Sequence, residues 1–206
     1  MTILQERPLS AASANSPAQA ARRAMIDSQL RVSGVNDPAV LAAFAHVARE
    51  DFAPETLKAN AYIDRALPLG DGRMLAAPLV HGRMLTEAAP SAEDSVLVIS
   101  DTGYLAALVA TFGCAVQVLS PADAVVARKK SEPATLVLVD GAIEHVPAAL
   151  VARVVKGGRI VSGLVERGVT RLATGRKVGG EVALLPLADI GMPVLAEFSA
   201  PRRWSF

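Results

Sequence analysis

The sequence is poor in the residues on which several protein classes depend. It has one cysteine, Cys114, in 206 residues. That leaves no internal disulfide and no thiolate cluster for a metal, the usage of a reducing compartment. The three histidines, His46, His81 and His145, are too far apart in sequence for any two to share a helical turn, which argues against a histidine-based zinc site. Aromatic residues make up 4% of the chain, too few for a base-stacking surface. Charge of one sign is missing as well. The chain carries 21 Lys and Arg against 20 Asp and Glu, a formal net charge of +1, so no global field attracts nucleic acid or an anionic membrane. No uncharged apolar run reaches the ~18–20 residues that cross a bilayer. Met1–Gln5 lacks the basic start and apolar run of a secretory signal. The expectation is a soluble cytoplasmic protein without nucleic-acid, membrane or metal partners.

What is present is apolar. Hydrophobic residues make up 51% and charged residues 20%, ample for a buried core. Residues 1–15 are small and polar and read as a disordered tail; 16–206 reads as a single domain. Ser16, Pro17 and Gln19 form a capping box that opens a helix stopping at Gly34. Asp37 and Pro38 open a second helix, with Val40, Leu41, Phe44 and Val47 on one face. A third, short helix is expected from Ala53 to Asn60. Residues 66–72 look extended and end in a Gly70-Asp71-Gly72 turn, and Pro78–Ala89 reads as a helix.

Beyond residue 90 the texture changes. Val96–Ile99, Ala115–Leu119 and Leu136–Val139 are short apolar runs rich in β-branched residues. Helical stretches follow each: Tyr104–Thr111, Ala122–Lys130 and Pro147–Val155. This alternation predicts an α/β fold with a parallel sheet. Residues 16–90 would form a helical cap and 91–206 a Rossmann-like core. The link Lys129–Thr135 is too short for another strand and crossover, which need at least ~10–12 residues, so Ala115–Leu119 belongs at or next to a sheet edge. Arg159–Val165, Val182–Leu187 and Val194–Ser199 read as closing strands, antiparallel, interrupted by Gly157-Gly158 and Gly179-Gly180.

A ligand in such a sheet binds beyond the carboxyl ends of the strands, near the first crossover. Here that is the turn Ser100-Asp101-Thr102-Gly103-Tyr104. It has one glycine, and Asp101 or Thr102 could equally be a helix cap. Ser120 stands where a ribose-binding fold places an acid. Asp123 fits better as favourable charge at a helix N-terminus, and Arg128-Lys129-Lys130 as a solvated helix end. Asp140-Gly141 ends the next strand. Glu144 and His145 could form an acid/base pair or belong to a polar loop, the latter narrowly preferred.

The chain resembles the protein-L-isoaspartate O-methyltransferase family along its whole length. Arg23–Leu30 resembles the family's opening helix, Val47–Phe52 its "V-P-R-E-x-F" and Ala61–Asp64 its "A-Y-x-D". Gly72–Pro78 lies where the family has "G-Q-T-I-S-x-P". Val96–Ala107 resembles its cofactor strand, turn and helix, and Val146–Val161 its "I-P … G-G-R-L-V". The resemblance implies a Rossmann-like methyltransferase fold with S-adenosylmethionine as cofactor. It also implies methyl transfer to isoaspartyl carboxylates of damaged proteins. It places Ser100, Asp101, Thr102, Gly103, Tyr104, Ser120, Asp140 and Gly141 around the cofactor. Met74, Ala77, Pro78, Val80 and His81 would border the peptide.

The departures fall on chemistry. Ala76 occupies the position of the family's substrate-contacting Ser, and Met74 that of a Thr. The turn is one residue shorter and has lost glycines. Ser120 replaces an acid, and a strand usual in the family is missing before Leu136. Together these changes imply weakened cofactor affinity. A non-catalytic paralogue that binds a protein or peptide is therefore the rival to the enzyme. A nicotinamide dehydrogenase is a distant third, for want of the glycine fingerprint.

Overall fold

The computed structural model describes residues 16–127 and 132–200. The expected tail at 1–15 and the basic run at 128–130 lie outside them. Ser16 caps α1 (Pro17–Met25), with both halves of the capping box formed. The helix continues through a π turn, Ile26–Leu30, and a 3-10 turn, Arg31–Ser33, and stops at Gly34 in the left-handed region. Asp37 accepts from the amides of Ala39 and Val40 and starts α2 (Pro38–His46). The short helix expected from Ala53 is a 3-10 helix, Glu55–Asn60. The extended stretch is a hairpin: β1 (Leu67–Gly70) pairs antiparallel with β2 (Arg73–Leu75). α3 (Pro78–Ala88) follows.

The main sheet contains β3 (Ser95–Ile99), β4 (Ala115–Leu119), β5 (Ala134–Ile143), β6 (Val154–Glu166), β7 (Val169–Val178) and β8 (Glu181–Asp189). Its order is β4-β3-β5-β6-β7-β8. The first four strands are mutually parallel, and β7 and β8 close the sheet antiparallel. β4 is at the edge, as the short link requires. The Gln117 side chain donates to the Glu132 carbonyl and accepts from its amide, so it occupies part of that edge. Both faces are buried. Val96, Val98 and Leu138 pack with Met25, Phe44 and Leu105 on one side. Leu97, Ile99 and Val139 pack with Leu150 and Phe198 on the other. α4 (Tyr104–Ala110), α5 (Pro121–Ala124) and α6 (Ala148–Val151) are the intervening helices.

Several expectations need correction. Of the helix expected at 122–130, the described residues form a single turn, α5; the helix expected at 147–155 is a single turn because β-branched Val154 and Val155 join β6 instead. Arg153 donates to the carbonyls of Ala124, Val126 and Ala149, satisfying the ends of both turns. Gly157-Gly158 does not separate strands; it is a bulge inside β6, where pairing jumps from Ala134–Val154 to Leu136–Arg159. β7 was not anticipated, its apolar positions being diluted by Arg171, Arg176 and Lys177. The strand expected at Leu136–Val139 runs on through Ile143. Val194–Ser199 is not a strand. Val194 makes one bridge, to Ala142, before a 3-10 turn at Ala196–Phe198. β3 ends opposite Val139, leaving that flank of β5 open. The Pro193 carbonyl and Leu195 amide bond Ala142 there, at 2.7 and 2.9 Å.

Asp94, just before β3, joins the helical layer to the sheet. It forms a two-pronged pair with Arg159 (3.1 and 2.8 Å) and accepts from Thr135 and Ser91. Burial alone would raise its carboxyl. The bonds from Arg159, Thr135 and Ser91 outweigh that and hold it at about 2. The folded value lies below the ordinary 3.8, so this stabilisation is complete above about pH 4 and is lost as pH falls toward 2. It amounts to about 2 kcal/mol. Urea titrations at pH 5 and pH 2.5 should show that Asp94→Asn has a smaller acid loss than wild type. Equal losses would contradict this.

Candidate functional site

The sheet reverses strand order between β3 and β5, and the candidate site lies at their carboxyl ends. The chain leaves β3 through Ser100-Asp101-Thr102 and enters α4 through Gly103, whose φ of 75° suits glycine. Asp140, on β5 beside this turn, gathers it. One carboxylate oxygen accepts from His81 Nε2 at 2.7 Å. The other accepts from Ser100 Oγ at 2.7 Å and Thr102 Oγ1 at 3.1 Å. Burial would raise this carboxyl, but His81, Ser100 and Thr102 together keep it below the ordinary range. Ser100 Oγ and Thr102 Oγ1 also accept from the Thr102 and Tyr104 amides. The turn is therefore held by hydroxyls where a glycine-rich turn would leave its amides free.

Behind the turn, Tyr104 is fully buried between His81, Phe44 and Phe52. Arg49 lies over its ring at 5.1 Å, equally buried. Burial pushes the phenol up and the guanidinium down. Arg49 donates to the Ala61 carbonyl at 2.7 Å and to the Ala76 carbonyl at 2.6 Å.

In front lies a cavity of about 190 Å³. Thr102, Asp101, Asp140 and Pro121 line the sheet side, Gly72, Arg73 and Met74 the hairpin side, and Pro193–Glu197 the third wall. Asp101 is raised by partial burial and by neighbouring Glu197, with Arg73 opposing. Leu195 sits on Gly141: a Cβ there would meet Leu195 Cγ at 2.7 Å.

The expected residues are thus partly assembled. Asp101, Thr102, Asp140 and Met74 reach the cavity. Ser100 and Tyr104 are turned inward, Gly103 starts α4, and Gly141 lies under Leu195. Ser120 caps α5 by accepting from the Asp123 amide. Ala76, Pro78, Val80 and His81 are buried, and Ala77 is half-buried. Glu144 and His145 form no acid/base pair; Glu144 accepts from the Ala200 amide and His145 bonds the Phe198 carbonyl. Among the described residues no helix is long and apolar enough to cross a membrane, and no group of three His, Cys, Asp or Glu could hold a metal ion. Sequence reasoning missed Arg49 and the Pro193–Glu197 wall. Arg49 gave no signal of its own, standing beside the charged Glu50 and Asp51.

A family model for protein-L-isoaspartate(D-aspartate) O-methyltransferase matches residues 20–126. A protein-L-isoaspartate O-methyltransferase of Methanoculleus marisnigri is 27% identical over 88% of this chain and 94% of its own length. One of Methylorubrum populi is 32% identical over 69% and 78%. Among solved structures, a Plasmodium falciparum protein described as this enzyme, in complex with S-adenosyl-L-homocysteine, superposes with a TM-score of 0.67. It is 16% identical and covers 89% of this chain and 100% of its own. Fold, family model and relatives agree: the chain belongs to the protein-L-isoaspartate O-methyltransferase family.

Proposed function

We propose that this protein binds S-adenosylmethionine and transfers its methyl group to isoaspartyl carboxylates in proteins or peptides. One observation carries the reading. The cavity at the switch point is bordered by the Ser100–Tyr104 turn on one side and by Gly72–Met74 on the other, so a cofactor subsite and a substrate subsite would share one space. The cofactor fits in charge. It carries a sulfonium and an ammonium against one carboxylate, and Asp71, Asp101, Asp140 and Glu197 face Arg73 around the cavity. In volume the cavity, at about 190 Å³, is smaller than the ~300–1,000 Å³ of pockets for molecules of drug size, so binding would require its walls to open. Asp101, Thr102 and Pro121 would border the cofactor, and Met74 the peptide. When bound, the cofactor supplies an electrophilic methyl. The substrate carboxylate is already a nucleophile, so the protein's part is to orient it and exclude water rather than to move a proton.

The same geometry favours a second reading, a non-catalytic paralogue. Both Asp140 oxygens are taken, Ser120 is spent on a cap, and Ala76 has no hydroxyl to offer. Calorimetry with S-adenosylhomocysteine, together with methyl transfer to matched isoaspartyl and aspartyl peptides, separates the two. The expected result is binding with a dissociation constant weaker than ~1 μM and transfer to the isoaspartyl peptide alone. No binding and no transfer would overturn the enzyme reading and leave the paralogue.

A further inference from the structure

Two hydrogen-bonded clusters meet inside the molecule. From the turn, Ser100 and Thr102 lead through Asp140 to His81 Nε2. From the segment at Ala76, its carbonyl leads to Arg49. Between the clusters stands Tyr104, 5.3 Å from the His81 ring and 5.1 Å under the Arg49 guanidinium, centre to centre. Three fully buried atoms at this junction lack a hydrogen bond of good geometry, although Arg49 and Tyr104 lie close enough to interact: His81 Nδ1, Tyr104 Oη and Arg49 Nη1. Unpaired buried polar atoms are rare, and three on mutually packed side chains call for one explanation. Their chemistry is complementary. The guanidinium donates only; His81 Nδ1 accepts once Nε2–H is given to Asp140; a phenol does both.

We propose that Tyr104 joins the two clusters, making Arg49, Tyr104, His81 and Asp140 positioning residues that tie the Ser100–Tyr104 turn to the Ala76 segment as one unit. The chain of contacts runs from the Ala76 carbonyl through guanidinium, phenol, imidazole and carboxylate to the turn hydroxyls. Naming its ends as cofactor and substrate subsites rests on the proposed function; the mechanical connection does not. A ligand that orders the turn would then lower the cost of ordering the Ala76 segment, the form of coupling expected of adjacent subsites.

The test is a double-mutant cycle on the unfolding equilibrium. Arg49→Lys and Asp140→Asn alter opposite ends that share no hydrogen bond, and Lys keeps the positive charge through which Arg49 and Asp140 also feel each other. In the wild-type background their effects should be non-additive by fivefold or more in the unfolding constant. In the Tyr104→Phe background, which keeps the ring and removes the hydroxyl, they should be additive within twofold. Coupling that is absent with Tyr104, or unchanged without its hydroxyl, would overturn the proposal. If Arg49→Lys does not fold, amide exchange of Tyr104→Phe decides. Exchange should quicken together at 100–104 and at 76–80, and quickening at one end alone refutes the connection. Neither measurement needs a ligand, so failure to bind S-adenosylhomocysteine would remove the proposed function and leave this result standing.

Discussion

Asp140→Ala should destabilise the protein by about 3–5 kcal/mol, the cost of removing one member of a buried charged cluster. The carboxylate serves three donors, His81, Ser100 and Thr102, and its side chain is 2% exposed. Without it the imidazole and two hydroxyls lose their acceptor in a site that water barely reaches. Asp140→Asn keeps the shape and one acceptor oxygen, so it should cost less than the alanine. Denaturation midpoints at constant slope measure both. An alanine variant within 1 kcal/mol of wild type would mean that the turn does not depend on Asp140.

The second large effect is expected at Gly141. Its missing Cβ is where Leu195 Cγ, Leu195 Cδ2 and the Pro193 carbonyl come within 2.7–3.0 Å. Gly141→Ala therefore cannot be absorbed by rotating a flexible side-chain tip. Either β5 or the Pro193–Phe198 segment must move, at about 1–3 kcal/mol. The segment is held to β5 by two backbone bonds at Ala142, with its far end fixed by the Phe198 carbonyl on Glu144 and His145, so it yields before the strand does. Exchange of the Leu195 amide should rise by about tenfold or more, with β3 and β6 unaffected. Unchanged exchange at Leu195 would show that the segment is not seated on Gly141 in solution.

Much of the architecture was legible in the sequence because it rests on local signals. Ser16, Asp37 and Gly34 mark helix ends by their own hydrogen bonds or backbone freedom. The apolar runs at 96–99, 115–119 and 136–139 are buried on both sheet faces. The short link before Ala134 fixes β4 at the edge. What was hidden depends on partners distant in sequence. Residues 194–199 look like a strand in isolation, yet only the flank of β5 beyond Val139 is open, which accommodates a single bridge. β7 is written with charges because one face of the closing hairpin is wet. The site was legible as a place, the turn after β3 and the end of β5. The inward direction of Ser100 could not be read, because it depends on Asp140, forty residues on. Arg49 was invisible for a related reason: its acceptors are the main-chain carbonyls of Ala61 and Ala76, which carry no sequence signature.

The early end of the sheet at β4 has a consequence for behaviour in concentrated solution. A parallel sheet that stops one strand short exposes a rim able to recruit another chain, and natural proteins blunt such rims. Here a glutamine amide does part of that blunting: Gln117 presents a donor and an acceptor to Glu132 as a neighbouring strand would. Val118 on the same strand is half exposed. Among the described residues, the Gln117 amide engaged with Glu132 is the feature that opposes self-association along this rim.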